Sequence, residues 1–159
     1  MVNVYAIAGG FLQLILGLVF AAFSIFLGVR LFDRLTKDVD ELEELRRGNV
    51  AVGILLAAVV ITIANIVQSG VGGLSAATLS GSVDAIVGGI VQLLISLVLA
   101  VVAIYLALSI FGRVTKGIDE EAELRRGNVA VAVLLSGFLI AVSLVIQSGV
   151  SSISAGFAA

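Results

Sequence analysis

The side chains able to do chemistry in this chain are few, and the sharpest are uncharged amides. Asn49 and Asn128 each sit inside the stretch Glu-Leu-Arg-Arg-Gly-Asn-Val-Ala-Val, which occurs at 44–52 and again at 123–131. Each amide stands where a charged segment gives way to a long apolar run. There it can cap the following helix by accepting from free backbone N–H groups, or contribute to a polar ring at an inner entrance. Capping is the simpler reading, and the two roles do not exclude each other. Gln13, Gln68, Gln92 and Gln147 form a second set. Counted along a helix from Phe32 back to Gln13 and from Val50 on to Gln68, they lie about 28 and 27 Å from the boundary at the usual helical rise. The four should share one layer near the outer boundary. That layer is either an uncharged pore ring that orients a polar permeant, or a set of interhelical hydrogen bonds worth about 0.6 to 2 kcal/mol each. The structural role is the simpler of the two.

Absent residue types exclude more than the present ones assign. With no cysteine and no histidine, the chain has no thiolate nucleophile, no soft-metal site and lacks the commonest general base. Asp38, Asp40, Glu41, Glu43 and Glu44 lack the glycine and spacing of a calcium loop, and Arg46 and Arg47 stand at pairing distance along a helix. They read as a solvated charged face. No Gly-rich phosphate loop, Ser-His-Asp arrangement or aromatic-basic nucleic-acid surface is present. No cofactor, metal or nucleic-acid partner is expected, and the chain reads as a non-enzyme.

The elements that must position these residues are apolar. Hydrophobic residues make up 60% of the 159, charged residues 13%, and mean hydropathy is +1.24, against roughly 45 to 50% and 25% in soluble domains. This is the composition of a membrane protein. The two nine-residue stretches belong to a tandem repeat with an offset of 79 residues. Gly9-Gly10 aligns with Gly88-Gly89, Gln13 with Gln92, Thr36-Lys37 with Thr115-Lys116, and Gln68-Ser69-Gly70-Val71 with Gln147-Ser148-Gly149-Val150. Repeat 1 (1–79) divides into a span at about 4–32, a polar segment at 33–48 and a span at about 49–69. Repeat 2 (80–159) divides into a span at about 84–111, a polar segment at 112–127 and a span at about 128–148. Each run is long enough to cross a roughly 30 Å hydrocarbon layer as a helix, and too continuously apolar for a barrel strand. The expected fold is all-α, four transmembrane helices in two parallel two-helix repeats.

All nine Lys and Arg residues lie in or beside the two polar segments, so both segments should be cytoplasmic and both termini outside. Each segment reads as a short amphipathic helix, with Asp38 as a first-turn cap, Gly48 as a stop, acids early and arginines late. The stretches at 70–82 and 149–159, rich in Gly, Ser and Ala, read as short interfacial or irregular pieces, with Tyr5 a candidate outer anchor. Small residues four apart, such as Gly17 and Ala21, Ser24 and Gly28, Ser96 and Ala100, or Ala132 and Ser136, suit close helix packing. Asn65 is a deep amide matched by Leu144 in the second copy; either it breaks the pseudo-symmetry or it satisfies Thr62 or a neighbouring helix.

Two spans joined by a charged segment ending in Gly48-Asn49-Val50-Ala51-Val52 or Gly127-Asn128-Val129-Ala130-Val131, with Gln-Ser-Gly closing the second span, resemble the YjfL-like inner-membrane family, a domain of unknown function with paired copies. The resemblance covers nearly the whole chain. It implies a bacterial or archaeal protein of the cytoplasmic membrane, with no established catalytic residues, associated with envelope-stress systems of the phage-shock kind. Two functional expectations follow. The first is a homo-oligomeric scaffold that offers Arg46, Arg47, Arg125 and Arg126 to a cytoplasmic stress-response protein. The second is an oligomeric ion channel or small-solute pore lined by the glutamines. A proton-coupled transporter is disfavoured, because the spans carry no carboxylate or histidine to relay protons.

Overall fold

The computed structural model describes residues 4–35, 41–80, 83–115 and 117–157. They form six helices: α1 (Val4–Leu35), α2 (Glu41–Arg46), α3 (Val50–Ser80), α4 (Val83–Val114), α5 (Glu120–Arg125) and α6 (Val129–Phe157). No strand occurs among the described residues. Leu, Ile, Val and Ala runs without proline satisfy every backbone group within the helix itself, which is the requirement an apolar solvent imposes.

Three of these helices hold segments long and apolar enough to cross a membrane: Val50–Gly72, Val87–Val114 and Val129–Ser152. The described apolar part of α1 is shorter, Gly17–Arg30. At 31 residues, α3 is about 46 Å long, well beyond the roughly 30 Å hydrocarbon thickness. The stretch 70–80 was expected to be interfacial or irregular and is instead the continuation of α3, as 149–157 is of α6. Glycine and serine weaken a helix, yet Gly70 lies so close to α4 that a Cβ there would sit 3.0 Å from the Leu93 Cα. Packing at that crossing carries the helix through the weak residues.

α3 is the hub. It packs along α4 and along α6; α4 also packs on α6, and α1 packs on α3 with a slight contact to α4. The core runs through Val52, Leu55, Val59 and Ile63 of α3, Ile104 and Phe111 of α4, and Leu135 and Leu139 of α6. Phe111 meets Phe138 edge to face, with ring centroids 5.5 Å apart. Gly28 of α1 lies against Ile63 of α3, a close approach of the kind small residues permit. Ser24, Ser96, Ala100, Ala132 and Ser136 are likewise buried.

Candidate functional site

The repeated nine-residue stretch folds the same way twice. At the end of α2 the Gly48 N–H donates to the Leu45 carbonyl at 3.0 Å, and the Asn49 N–H donates to the Glu44 carbonyl at 2.9 Å. At the end of α5, Gly127 and Asn128 repeat the pair on Leu124 and Glu123, at 3.0 and 2.9 Å. Both glycines have φ of 78°, a left-handed conformation that glycine adopts without strain. Together these bonds close a Schellman motif, which satisfies two carbonyls the helix end leaves free.

The asparagine that follows each glycine starts the next helix. Asn49 Oδ1 accepts from the Ala51 and Val52 N–H groups at 3.1 and 3.3 Å, and Asn128 Oδ1 accepts from Ala130 and Val131 at 3.1 and 3.4 Å. These are helix N-caps. The amide nitrogens reach back: Asn49 Nδ2 donates to Glu44 Oε2 at 2.8 Å, and Asn128 Nδ2 to Glu123 Oε2 at 2.6 Å. The same carboxylates accept from Arg47 at 3.3 Å and from Arg126 at 3.1 Å. Each turn is thus an Asn–Glu–Arg latch holding a short polar helix at a fixed angle to a long apolar one.

Two differences separate the copies. Glu43 also pairs with Arg46 and Arg47, at 3.8 and 3.4 Å. Its counterpart is Ala122, so Arg125 has no ion pair among the described residues. Further, Asn49 Nδ2 donates across to the Leu124 carbonyl at 2.8 Å, with the Arg125 carbonyl 3.4 Å away. Asn128 makes no corresponding bond among the described residues. Beside Asn128 an open hollow of about 460 Å³ is lined by residues that include Ile118, Asp119, Glu123, Arg126 and Val131.

All four arginines of the motif are exposed. The cap of α5 is Asp119, which accepts from the Ala122 N–H at 3.0 Å; the expected cap Asp38 lies outside the described residues, as do Thr36, Lys37 and Lys116. The glutamines have different surroundings. Gln92 is buried and donates to the Ser69 carbonyl at 3.2 Å, Gln147 is half-buried and Gln68 is exposed; the side chains of Gln13 and Tyr5 lie outside the described residues. Asn65 donates to Ser143 Oγ of α6 at 3.3 Å, so the neighbouring helix is its partner. Thr62 Oγ1 is buried with no hydrogen-bond partner. Among the described residues no cluster of acids is placed to hold a metal ion.

Sequence spacing gave the asparagine caps but missed the Asp119 cap, the latch and the cross-bond. The signal for the latch was present, since Glu stands five residues before Asn in both copies. The cross-bond joins residues 75 apart, and no local pattern encodes it.

No curated protein and no solved structure matches the chain. One family's sequence profile does, over residues 6–102 and again, overlapping, over 85–158. The same latched turn thus lies once in each matched stretch of a chain that belongs to the family described as Domain of Unknown Function (DUF350).

Proposed function

We propose that the chain is a non-enzymatic membrane scaffold: four spans, with α1 as the fourth, arranged as two parallel tandem repeats that present two latched turns to the same side. The observation that carries this is the twofold construction of the turn, with Arg46, Arg47, Arg125 and Arg126 all exposed at its two copies. Exposed guanidinium groups carried on a folded polar turn suit recognition of carboxylate or phosphate groups on a partner. The concentration of every cation at 30–47 and 113–126 supports a cytoplasmic position for both turns in a cytoplasmic membrane, with both termini outside. The link to envelope stress, and to a stress-response protein as partner, rests on the family resemblance. Reversing all four arginines to glutamate is expected to abolish recovery of a cytoplasmic partner with the purified protein while leaving membrane insertion unchanged. Undiminished recovery would remove the docking role.

A second reading, an oligomeric channel or small-solute pore, is favoured by one observation. Gln68 is exposed on α3, so in an assembly its uncharged amide is available to line a polar path near the outer boundary. Liposomes holding the purified protein should then pass small polar solutes or ions, with Gln68→Leu reducing the flux. Sealed liposomes at every voltage would count against it.

A further inference from the structure

We propose that copies of this chain assemble head to tail, the second repeat of one protomer packing on the first repeat of the next as its own first repeat packs on its second. The inference rests on the tandem-repeat reading and gives its self-assembly a defined interface.

The internal contacts form an open series. α3 packs along α4, yet the corresponding pair, α6 with α1, is not packed together among the described residues. A closed twofold arrangement would make both contacts. At six positions α3 buries a residue whose counterpart α6 leaves uncovered. Leu55 is 3% exposed and its counterpart Leu134 52%. Ala51, Ala58, Thr62, Ile66 and Gly70 are buried, whereas Ala130, Gly137, Ala141, Val145 and Gly149 are exposed. The reverse holds on the other side of the pair. Ser136 and Ser143 of α6 are buried against α3, while their counterparts Ala57 and Ala64 on α3 are exposed.

The partner surface shows the same one-sidedness. Leu93 of α4 is 6% exposed and Leu14 of α1 64%. Gly70 touches α4, and its counterpart Gly149 has nothing within 4 Å of where a Cβ would be.

The latched turns agree. Asn49 reaches the Leu124 carbonyl, and Leu124 is 4% exposed; its counterpart Leu45 is 41% exposed. Among the described residues Asn128 has no such carbonyl before it, and the hollow of about 460 Å³ lies at that point. A neighbouring copy's α2, bringing its Leu45 carbonyl to Asn128, completes the site that α5 completes at Asn49. Lipid would cover an apolar face equally well, but it supplies no fixed carbonyl to the amide. Lipid also gains little from a face of Gly137, Ala141 and Gly149, whose small side chains suit close helix contact. Such an interface is heterologous, and it closes into a ring when the rotation between copies divides a full turn.

The chain has no cysteine, so single thiols report cleanly. Leu14→Cys and Gly149→Cys variants, expressed together in one membrane and oxidised, are expected to form a mixed dimer, because the equivalent Leu93 and Gly70 touch. Each alone should form none, and the double variant should form a ladder of multiples. Native mass measurement in lipid nanodiscs should give a multiple of the single-chain mass for the wild type. Leu134→Trp should reduce that mass and the mixed cross-link without loss of helix content, and Asn128→Ala should lower the cross-link yield several-fold. A Gly149→Cys dimer formed alone would indicate a twofold α6 contact and overturn the proposal. A wild-type monomer in lipid would overturn it too, whether or not the cysteine variants fold. The repeat reading fails separately, if the two polar segments label from opposite sides of the membrane.

Discussion

Asn49 and Asn128 are the same residue in the same turn, yet they carry different numbers of bonds. Both cap a helix and both hold a glutamate, but only Asn49 also donates to the Leu124 carbonyl. A lost cap costs about 1 kcal/mol, and a lost hydrogen bond to a partly buried carbonyl about another 1 kcal/mol. In detergent that disperses the chain to single copies, Asn49→Ala should therefore destabilise by about 2 kcal/mol and Asn128→Ala by about half of that. Reversible unfolding measured on both variants checks the order, and equal losses would show that the cross-bond contributes nothing. Gly48 and Gly127, each at φ 78°, should each lose about 1 kcal/mol on change to alanine, and less on change to asparagine, which tolerates that conformation better. Thr62 offers the opposite sign: its buried, unpartnered hydroxyl makes Thr62→Val neutral or stabilising in the same assay. The cap and the glycine stop were legible in the sequence because they are decided within six residues. The Leu124 bond was not, since its acceptor is a backbone carbonyl that any residue type provides.

At the scale of elements, the helices follow from apolar runs without proline, and their existence was readable from composition alone. Their ends were not. The Gly, Ser and Ala stretch after Gly70 has weak helix propensity, and the sequence offers no sign that α4 lies against it. The close approach of Gly70 to Leu93 and Ser96 is a tertiary fact that overrides the local one. Gly70→Val should accordingly separate α3 from α4 and cost about 1 to 3 kcal/mol, as overpacking does. Gly149→Val should leave the stability of the single chain almost unchanged, because nothing lies within 4 Å of that Cβ position. Unfolding of the two variants side by side decides the matter, and equal destabilisation would contradict the packing described. The short polar helices were also legible. Their ion pairs at the surface, Arg47 with Glu43 and Glu44 and Arg126 with Glu123, contribute little to stability.

At the scale of the molecule, what the sequence showed was one pattern written twice, and what it could not show was how the two copies meet. Two identical polar turns imply nothing about which faces they share; the burial of Leu55 beside the exposure of Leu134 does. Sidedness remains a property of the cations. Lys37→Cys and Lys116→Cys, placed in an otherwise thiol-free chain, should both be reached by a membrane-impermeant maleimide from the inner side alone. Labelling of either from outside would reverse the orientation, and labelling from opposite sides would dismantle the parallel repeat.

Only residues 81 and 82 lie between α3 and α4, which pack along each other, so the two stretches that share the nine-residue motif are joined through a packed pair of helices. A gene cut at that join would yield two pieces of matching design, neither holding the hairpin that α3 and α4 make. Each half alone would leave bare the helix face that α3 and α4 cover for one another, so two halves made as separate chains should recover that contact only by meeting again.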